Sequence, residues 1–214
     1  MQNNWQNISL EAHDLACVRG GRCVYQGLGF TLNSGDLLVL RGGNGSGKST
    51  LLRQIAGFLP VYEGQINCHH AQEQIMLDAH LHYVGHQSGV KTYLSVAENL
   101  SYWSKLFEGS DALEETLSFW GLDALRDTPA RLLSEGQKRR VGLARLMLAP
   151  RPVWLLDEPN VGLDVENLAR LEAVISTHIS AGGMVMMASH VDVGINKARE
   201  FNLSTLPDLE GVVA

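Results

Sequence analysis

The sequence predicts an α/β fold built around a largely parallel sheet. Short, fully apolar runs alternate along the chain with stretches of helical periodicity, as expected for strands that are covered on both faces. Residues 37–40 lead into a glycine-rich loop, residues 153–156 into two acids, and residues 184–188 into a serine and a histidine. Because ligands bind at the carboxyl ends of parallel strands, these three ends predict one shared site.

The composition is that of a folded domain in a reducing compartment. The 214 residues are 45% hydrophobic and 19% charged, which suits one buried core and excludes a disordered chain. The formal net charge of −6 argues against a protein that binds nucleic acid mainly through phosphates, so we expect no nucleic-acid partner. The three cysteines include no C-x-x-C pair, which makes a disulfide framework unexpected. We expect a single domain over residues 1–214.

We expect neither a leader nor a membrane span. The first residues have no basic segment followed by an apolar one. The longest stretch without Asp, Glu, Lys or Arg is 173–191, which contains two adjacent glycines and two histidines, whereas a span needs about 20 mostly apolar residues. If the protein acts at a membrane, other chains are expected to supply the spans.

The loop after the first strand fits the motif G-x-x-x-x-G-K-[ST]. Its glycines let backbone N–H groups turn inward around phosphates, Lys48 is placed to reach the β- and γ-phosphates, and the Ser49 hydroxyl is placed to hold Mg²⁺. The helix that starts at about Lys48 adds its positive N-terminal end. The predicted nucleotide-binding residues are Gly42, Gly43, Asn44, Gly45, Ser46, Gly47, Lys48, Ser49 and Thr50.

Two acids follow the second strand, at the edge where the phosphate loop is expected. Asp157 is placed to bind Mg²⁺, usually through water, and so to complete the metal site with Ser49. Glu158, one residue later, is placed to polarise an attacking water. Two exposed acids at a strand end are common, and it is their pairing with the phosphate loop that favours the catalytic interpretation.

The middle of the chain is helical, from about residue 95 to residue 133. Ser95 and Glu98 form a capping-box start, and a second helix is expected over 111–120. Ser134 and Gln137 form another capping box ahead of a helix over 138–149, and Gly136 permits close approach of a phosphate to that helix end. We interpret residues 95–133 as a small inserted helical subdomain.

The phosphate loop, the L-S-x-G-Q segment 133–137 and the L-D-E-P segment 156–159, in this order, resemble the ATP-binding subunits of ABC transporters over about residues 10–198. The resemblance implies a P-loop NTPase of the ABC-ATPase type. Its fold has a mixed, largely parallel core sheet, an N-terminal antiparallel β subdomain and the inserted helical subdomain. It also implies that the chain binds ATP and Mg²⁺ and that a second copy of itself joins it to enclose two ATP molecules.

The resemblance assigns roles residue by residue. Gln87 resembles the glutamine that touches Mg²⁺ and reports to the membrane subunits, Asp164 resembles the D-loop acid, and His190 resembles the histidine that contacts the γ-phosphate. The implied catalytic residues are Lys48, Glu158 and His190, the metal residues are Ser49, Gln87 and Asp157, and the residues that complete the partner copy's site are Ser134, Gly136 and Gln137.

The chain departs from the family pattern at three places. Glu135 replaces the usual glycine, and Gly43 stands where proline is common. The aromatic residue expected to stack on adenine is missing, because Arg19 and a glycine occupy its place and Tyr25 comes too late. Arg19 is a candidate to stack on the base instead.

Segments 30–37, 85–91 and 133–146 carry a narrower resemblance, to the haem exporter ATP-binding subunits of the cytochrome c maturation system. That resemblance implies a peripheral protein on the cytoplasmic face of the bacterial inner membrane, bound to integral membrane subunits. It implies that ATP hydrolysis drives haem export or the release of a haem-loaded chaperone, which makes the haem chaperone an indirect partner. The alternative is the ATPase subunit of a different small-molecule ABC transporter.

Other interpretations are less favoured. A DNA-repair or ribosomal ABC ATPase would carry a long coiled coil or a second such domain, and a scaffold without turnover would not need Glu158 and His190. The Cys and His residues between 68 and 86 are interpreted as a polar hairpin rather than a metal site. The basic triplet 138–140 is interpreted as solvated or as part of an interface. Aromatic residues between 102 and 120 are expected mostly in the subdomain core, with one or two lining a pocket for a membrane partner.

Overall fold

The structure, a computed structural model, describes residues 5–190, 194–195 and 198–203. Its strands are β1 (Ile8–Arg19), β2 (Arg22–Asn33), β3 (Leu37–Arg41), β4 (Glu63–His70), β5 (Glu73–Gln74), β6 (Leu81–Val84), β7 (Val153–Asp157), β8 (Met184–Ala188) and β9 (Arg199–Asn202). Its helices are α1 (Lys48–Ile55), α2 (Val96–Leu106), α3 (Leu113–Phe119), α4 (Glu135–Leu148) and α5 (Val165–Ser180). Short 3₁₀ turns lie at 77–80, 123–125 and 130–132.

The strands form two sheets. One is antiparallel in the order β2-β1-β4-β5, and the other has the order β6-β7-β8-β3-β9. All described pairs of the second sheet are parallel. The predicted α/β fold is confirmed, and the antiparallel strands form a sheet of their own. The order places the ends of β3, β7 and β8 side by side, as the three apolar runs predicted.

Two hydrophobic cores lie on opposite faces of the parallel sheet, and successive residues of a strand point alternately into one and the other. Val153 and Leu155 of β7 pack with α1 and the antiparallel sheet, whereas Trp154 and Leu156 pack with α2, α4 and α5. Every residue of β7 and β8 is buried. Burial on both faces is why these strands are continuously apolar instead of alternating.

The helical segment begins and ends close to its predicted limits. Ser95 caps α2 with both bonds of a capping box, and Trp120, fully buried, caps the C-terminus of α3. α2 and α3 both pack on α4, which returns the chain to β7. Among the described residues, no helix combines the length and the apolar character that crossing a membrane requires.

Candidate functional site

The phosphate loop, residues 42–49, joins the end of β3 to α1. Gly47 has φ +97°, and a Cβ at this position would lie 2.7 Å from Cγ1 of Val24, so only glycine fits between the loop and β2. The ammonium of Lys48 donates to the carbonyls of Gly42 (2.7 Å) and Gly43 (3.0 Å). The cation is therefore held at the centre of the loop, at the positive end of α1.

Ser49, in the first turn of α1, meets Asp157 at the carboxyl end of β7. The Ser49 hydroxyl donates to Oδ1 of Asp157 at 2.8 Å, and the Tyr83 hydroxyl donates to Oδ2 at 3.4 Å. Asp157 is 2% exposed, and Arg53 donates to the Tyr83 hydroxyl at 3.3 Å. The two predicted metal oxygens are thus adjacent. The Tyr83–Arg53 pair behind them was not predicted.

Glu158 and His190 face each other at the ends of β7 and β8. Nε2 of His190 lies 3.3 Å from Oε1 of Glu158, and the His190 side chain is 48% exposed while that of Glu158 is 19% exposed. The Glu158 N–H donates to the Ala188 carbonyl at 3.0 Å, which fixes the turn against β8. The carboxylate therefore lies at the sheet edge with an imidazole beside it.

Gln87 is exposed in the loop 85–91, which we call the Gln87 loop. This loop lies against α4: a Cβ at Gly142 would meet the Ser88 carbonyl oxygen at 2.8 Å, and a Cβ at Gly89 would meet Nη1 of Arg145 at 3.1 Å. No described contact joins the Gln87 side chain to Ser49 or Asp157. Its predicted metal role remains a prediction.

The L-S-x-G-Q segment 133–137, which we call the signature, lies at the start of α4. Ser134 accepts from the Gln137 N–H at 3.2 Å, and Gln137 Oε1 accepts from the Ser134 N–H at 2.8 Å, so the predicted capping box is confirmed. A Cβ at Gly136 would lie 2.9 Å from the Gly162 carbonyl oxygen. The signature thus packs against the turn that precedes α5. The helix begins at Glu135, three residues earlier than expected.

Asp164 is the N-cap of α5. Its Oδ1 accepts from the backbone N–H of Asn167 at 2.9 Å and from the Asn167 side chain at 2.8 Å. The backbone bond is the main cause that holds the pKa of Asp164 below its usual value. Asp164 is therefore a carboxylate at neutral pH that caps α5 within its own chain, and its D-loop role remains a prediction.

Arg139 corrects the interpretation of the basic triplet. The triplet was expected to be solvated or at an interface, but Arg139 is only 5% exposed. Its guanidinium donates to backbone carbonyls of residues 85–86 and 157–159. Burial lowers the pKa of Arg139, and the nearby carboxylates of Asp157 and Glu158 oppose that shift. The only sequence signal was its position three and four residues before Gly142 and Leu143, two buried residues on the same face of α4.

The sequence also drew attention to Tyr25, to Arg19 and to the Cys and His residues between 68 and 86. Tyr25 is 3% exposed and its hydroxyl donates to Gln54, so its ring supports the phosphate loop and presents no face for a base. Arg19 lies exposed at the end of β1, opposite Arg22. No group of three or more potential metal-binding side chains occurs in the part of the chain that the structure describes. His82, from the Cys and His segment, is buried and bonded to the Ala149 carbonyl.

Comparison with known proteins identifies the relatives of this chain. The family model of ABC transporters matches residues 25–161. The cytochrome c biogenesis ATP-binding export protein CcmA of Paramagnetospirillum magneticum is 46% identical over 203 residues, covering 91% of this chain and 94% of that protein. The protein of the same name from Paracoccus denitrificans is 44% identical over 194 residues, covering 91% and 88%.

A solved structure has the same fold. An ATP-binding protein of Pyrococcus furiosus, described as an ABC transporter component, superposes with a TM-score of 0.79 at 23% identity, covering 92% of this chain and 98% of that one. The segment that the ABC transporter family model matches begins at Tyr25 on β2 and ends at Val161, just after Glu158. It therefore contains the phosphate loop, the Gln87 loop and the signature. The chain therefore belongs to the ABC transporter family, and within it to the cytochrome c biogenesis ATP-binding export proteins.

Proposed function

We propose that this chain is the ATP-hydrolysing subunit of a membrane ABC complex in c-type cytochrome biogenesis. The observation that carries the proposal is the cluster at the carboxyl edge of the parallel sheet, where Ser49 bonds Asp157 and Glu158 faces His190. The relatives, which are named as ATP-binding export proteins of cytochrome c biogenesis, supply the process.

The phosphate loop binds the triphosphate through charge and backbone dipoles. Backbone N–H groups of the loop and of the first turn of α1 are the donors, and Lys48 adds a full positive charge. The ammonium exchanges its two loop carbonyls for phosphate oxygens. The donor is charged in both states, but the phosphate oxygens are anionic whereas the carbonyl oxygens are neutral, so Coulomb attraction favours the bound state.

The residues present fit a magnesium ion. A hydroxyl and a carboxylate are the hard oxygen donors that Mg²⁺ takes, and the two oxygens lie 2.8 Å apart. Ser49 would hold the ion through its hydroxyl, and Asp157 would hold it through its carboxylate, directly or through a water. We assign Gln87 to the same ion on the basis of the family resemblance. When bound, the ion neutralises charge on the β- and γ-phosphates.

Glu158 and His190 handle the attacking water. The Glu158 carboxylate accepts a hydrogen bond from the water and orients it towards the γ-phosphate, and it can take the proton released as the water attacks. His190, half exposed and 3.3 Å from Glu158, is free to turn its Nε2 to the γ-phosphate when nucleotide binds. Loss of one such group costs several kcal/mol of transition-state stabilisation, which is orders of magnitude in rate.

A second copy completes the site. Ser134, Gly136 and Gln137 lie at the N-terminus of α4, where the helix dipole and the N–H groups that the capping box does not use favour a phosphate of the partner's ATP. Apolar side chains are exposed beside them: Leu132 is 67% exposed, and Val165, next to Asp164, is 85% exposed. Burial of such side chains between copies gives a hydrophobic contribution to dimerisation.

The membrane subunits are expected at an aromatic groove beside the Gln87 loop. This cavity of about 320 Å³ is lined by Phe58, Tyr83, Trp103 and Phe107 together with the loop itself. Phe58 is 64% exposed, and the guanidinium of Arg145 lies 4.5 Å from the centre of the Trp103 ring. An amphipathic helix with an apolar anchor fits such a groove. The protein is then peripheral to the cytoplasmic face of the inner membrane, with a haem chaperone as an indirect partner.

A pull-down tests the proposed process. Tagged Glu158→Gln protein is isolated from detergent-solubilised membranes with ATP and Mg²⁺, and the bound proteins are identified by mass spectrometry. Recovery of cytochrome c maturation membrane subunits supports the proposal, and recovery of an unrelated permease contradicts the role in cytochrome biogenesis. Lys48→Ala is the matched control, because it is expected to lose nucleotide binding and with it any ATP-dependent recovery.

A further inference from the structure

All donors of the Arg139 guanidinium are in use. Its five N–H groups make five bonds: Nε to the carbonyl of residue 159 (3.3 Å), Nη1 to residues 85 and 86 (2.6 and 3.5 Å), and Nη2 to residues 157 and 158 (3.0 and 2.6 Å). One nitrogen therefore donates hydrogen bonds to the Gln87 loop, and the other two donate to the turn at Glu158. Because every donor of this buried cation is paired, the guanidinium holds the two segments in a fixed position relative to each other.

The face of α4 that carries Arg139 follows the Gln87 loop. Three residues further along, Gly142 approaches Ser88 so closely that a Cβ would lie 2.8 Å from its carbonyl oxygen. Three residues beyond that, Arg145 donates to the Tyr83 carbonyl. Tyr83 belongs to β6, which leads into the loop, and Arg145 also lies beside Gly89 of the loop itself. Positions three apart lie on one face of a helix, so this row of residues holds the loop and the strand that precedes it. Arg139 alone in the row also reaches Glu158.

The backbone of Glu158 needs such support. Glu158 has φ +50°, in the left-handed region that non-glycine residues rarely adopt. A strained conformation of this kind persists only where the surroundings determine it. The bonds that determine it are the Glu158 N–H to Ala188, the Val161 N–H to the Glu158 carbonyl (3.2 Å), and the Arg139 bonds to residues 157–159.

We propose that Arg139 is the positioning residue that joins the Gln87 loop to the Glu158 turn, so that the carboxylate is correctly placed only while the loop is seated on α4. Arg139 does not touch the reacting atoms. It acts through the backbone of Glu158. When a partner bound in the aromatic groove displaces the Gln87 loop, the Arg139 side chain transmits the displacement to the Glu158 carboxylate. The inference rests on the proposed catalytic role of Glu158.

The test separates positioning from folding and binding. ATP affinity, kcat and thermal unfolding are measured on the full chain for wild type, Arg139→Gln and Arg139→Lys. Arg199→Gln is the control, since Arg199 also spans two segments, bonding the Thr31 carbonyl (2.9 Å) and Asp36 (3.1 Å), but at the opposite end of β3 from the phosphate loop. We expect kcat to fall about 100-fold in Arg139→Gln, as for a misplaced catalytic group, with ATP affinity within about threefold of wild type.

Arg139→Lys keeps the charge but cannot bond both segments at once, so we expect kcat to fall about 10-fold. If Arg139→Gln does not fold, the kcat of Arg139→Lys tests the proposal by itself. In the Glu158→Gln background, single-turnover rates should no longer respond to Arg139→Gln. Wild-type kcat in Arg139→Lys, or equal and additive effects in the two backgrounds, would overturn the inference. Wild-type turnover in Glu158→Gln would instead remove the proposed role of Glu158 itself.

Discussion

Two buried histidines predict a steep loss of stability in mild acid. His82 is 2% exposed, with its ring edge-on to Phe107 and Nε2 bonded to the Ala149 carbonyl. His178 is 4% exposed and stacks on Trp154 with ring centres 3.6 Å apart. Burial lowers the pKa of His82 to about 4 and that of His178 to about 3. Both rings are therefore neutral in the folded protein at every pH above about 5.

The size of the effect follows from the difference between the folded and unfolded states. An unfolded histidine has a pKa of about 6.5, so between pH 6.5 and the lowered folded values the unfolded state binds more protons, and the free energy of unfolding falls as the pH falls. From pH 8 to pH 5 each ring contributes a loss of about 2 kcal/mol, or about 4 kcal/mol for the pair. A domain of this kind has only about 5–15 kcal/mol in total.

Urea unfolding at pH 8 and pH 5 measures this loss. In His82→Gln the amide can still donate to the Ala149 carbonyl but does not titrate, so the acid loss should shrink by about 2 kcal/mol relative to wild type. Phe107→Leu, which changes the packing around the same ring, should lower stability equally at both pH values. If the acid loss in His82→Gln is as large as that of wild type, protonation of His82 does not cause it.

Three further outcomes are expected. Gly47→Ala should weaken ATP binding more than 10-fold in calorimetry, because a side chain at φ +97° also meets a valine of β2, whereas Gly43→Ala, with open space around its Cβ, should have a smaller effect. Tyr25→Phe should lower the free energy of unfolding by about 1–2 kcal/mol by removing a buried hydrogen bond, with ATP affinity unchanged. Asp164→Ala should lower the urea midpoint of unfolding by removing the side-chain cap of α5 that accepts from the Asn167 N–H, and Asp164→Ser should recover most of the loss.

The parts that the sequence predicted well are those whose signal is local. The strand ends at Asp157 and Ala188 follow from runs of four or five apolar residues, and the capping boxes at Ser95 and Ser134 follow from side chains three positions apart. Each depends on neighbours within one turn or one strand. Short-range patterns of this kind are written in consecutive residues, so they can be recognised before any tertiary contact is known.

The long antiparallel strands were expected only from the family resemblance. β1 pairs with β2 through register shifts between Ala12 and Val18, and a further shift interrupts its pairing with β4. Such bulges break the alternation of buried and exposed positions by which a strand is recognised. A regular two-residue period therefore does not run through this segment.

Arg139 could not be predicted because its partners carry no side-chain signal. The carbonyls it bonds lie 54 residues before it and 18 to 20 residues after it, and any residue type supplies a carbonyl. Beside Lys138 and Arg140 it looks like part of a charged surface. Only the packing of α4 between the Gln87 loop and β7 turns it inward, and that packing is a property of the whole fold.

We expect ATP to join two copies of this chain and Glu158 then to act in its hydrolysis. Light scattering of purified Glu158→Gln protein, with ATP and Mg²⁺ or with ADP and Mg²⁺, measures the first step, and the turnover rate measures the second. We predict a mass twice the 23.4 kDa of one chain with ATP, the single-chain mass with ADP, and turnover reduced by orders of magnitude. A Glu158→Gln protein that stays at 23.4 kDa with ATP while hydrolysing it at the wild-type rate would contradict the account.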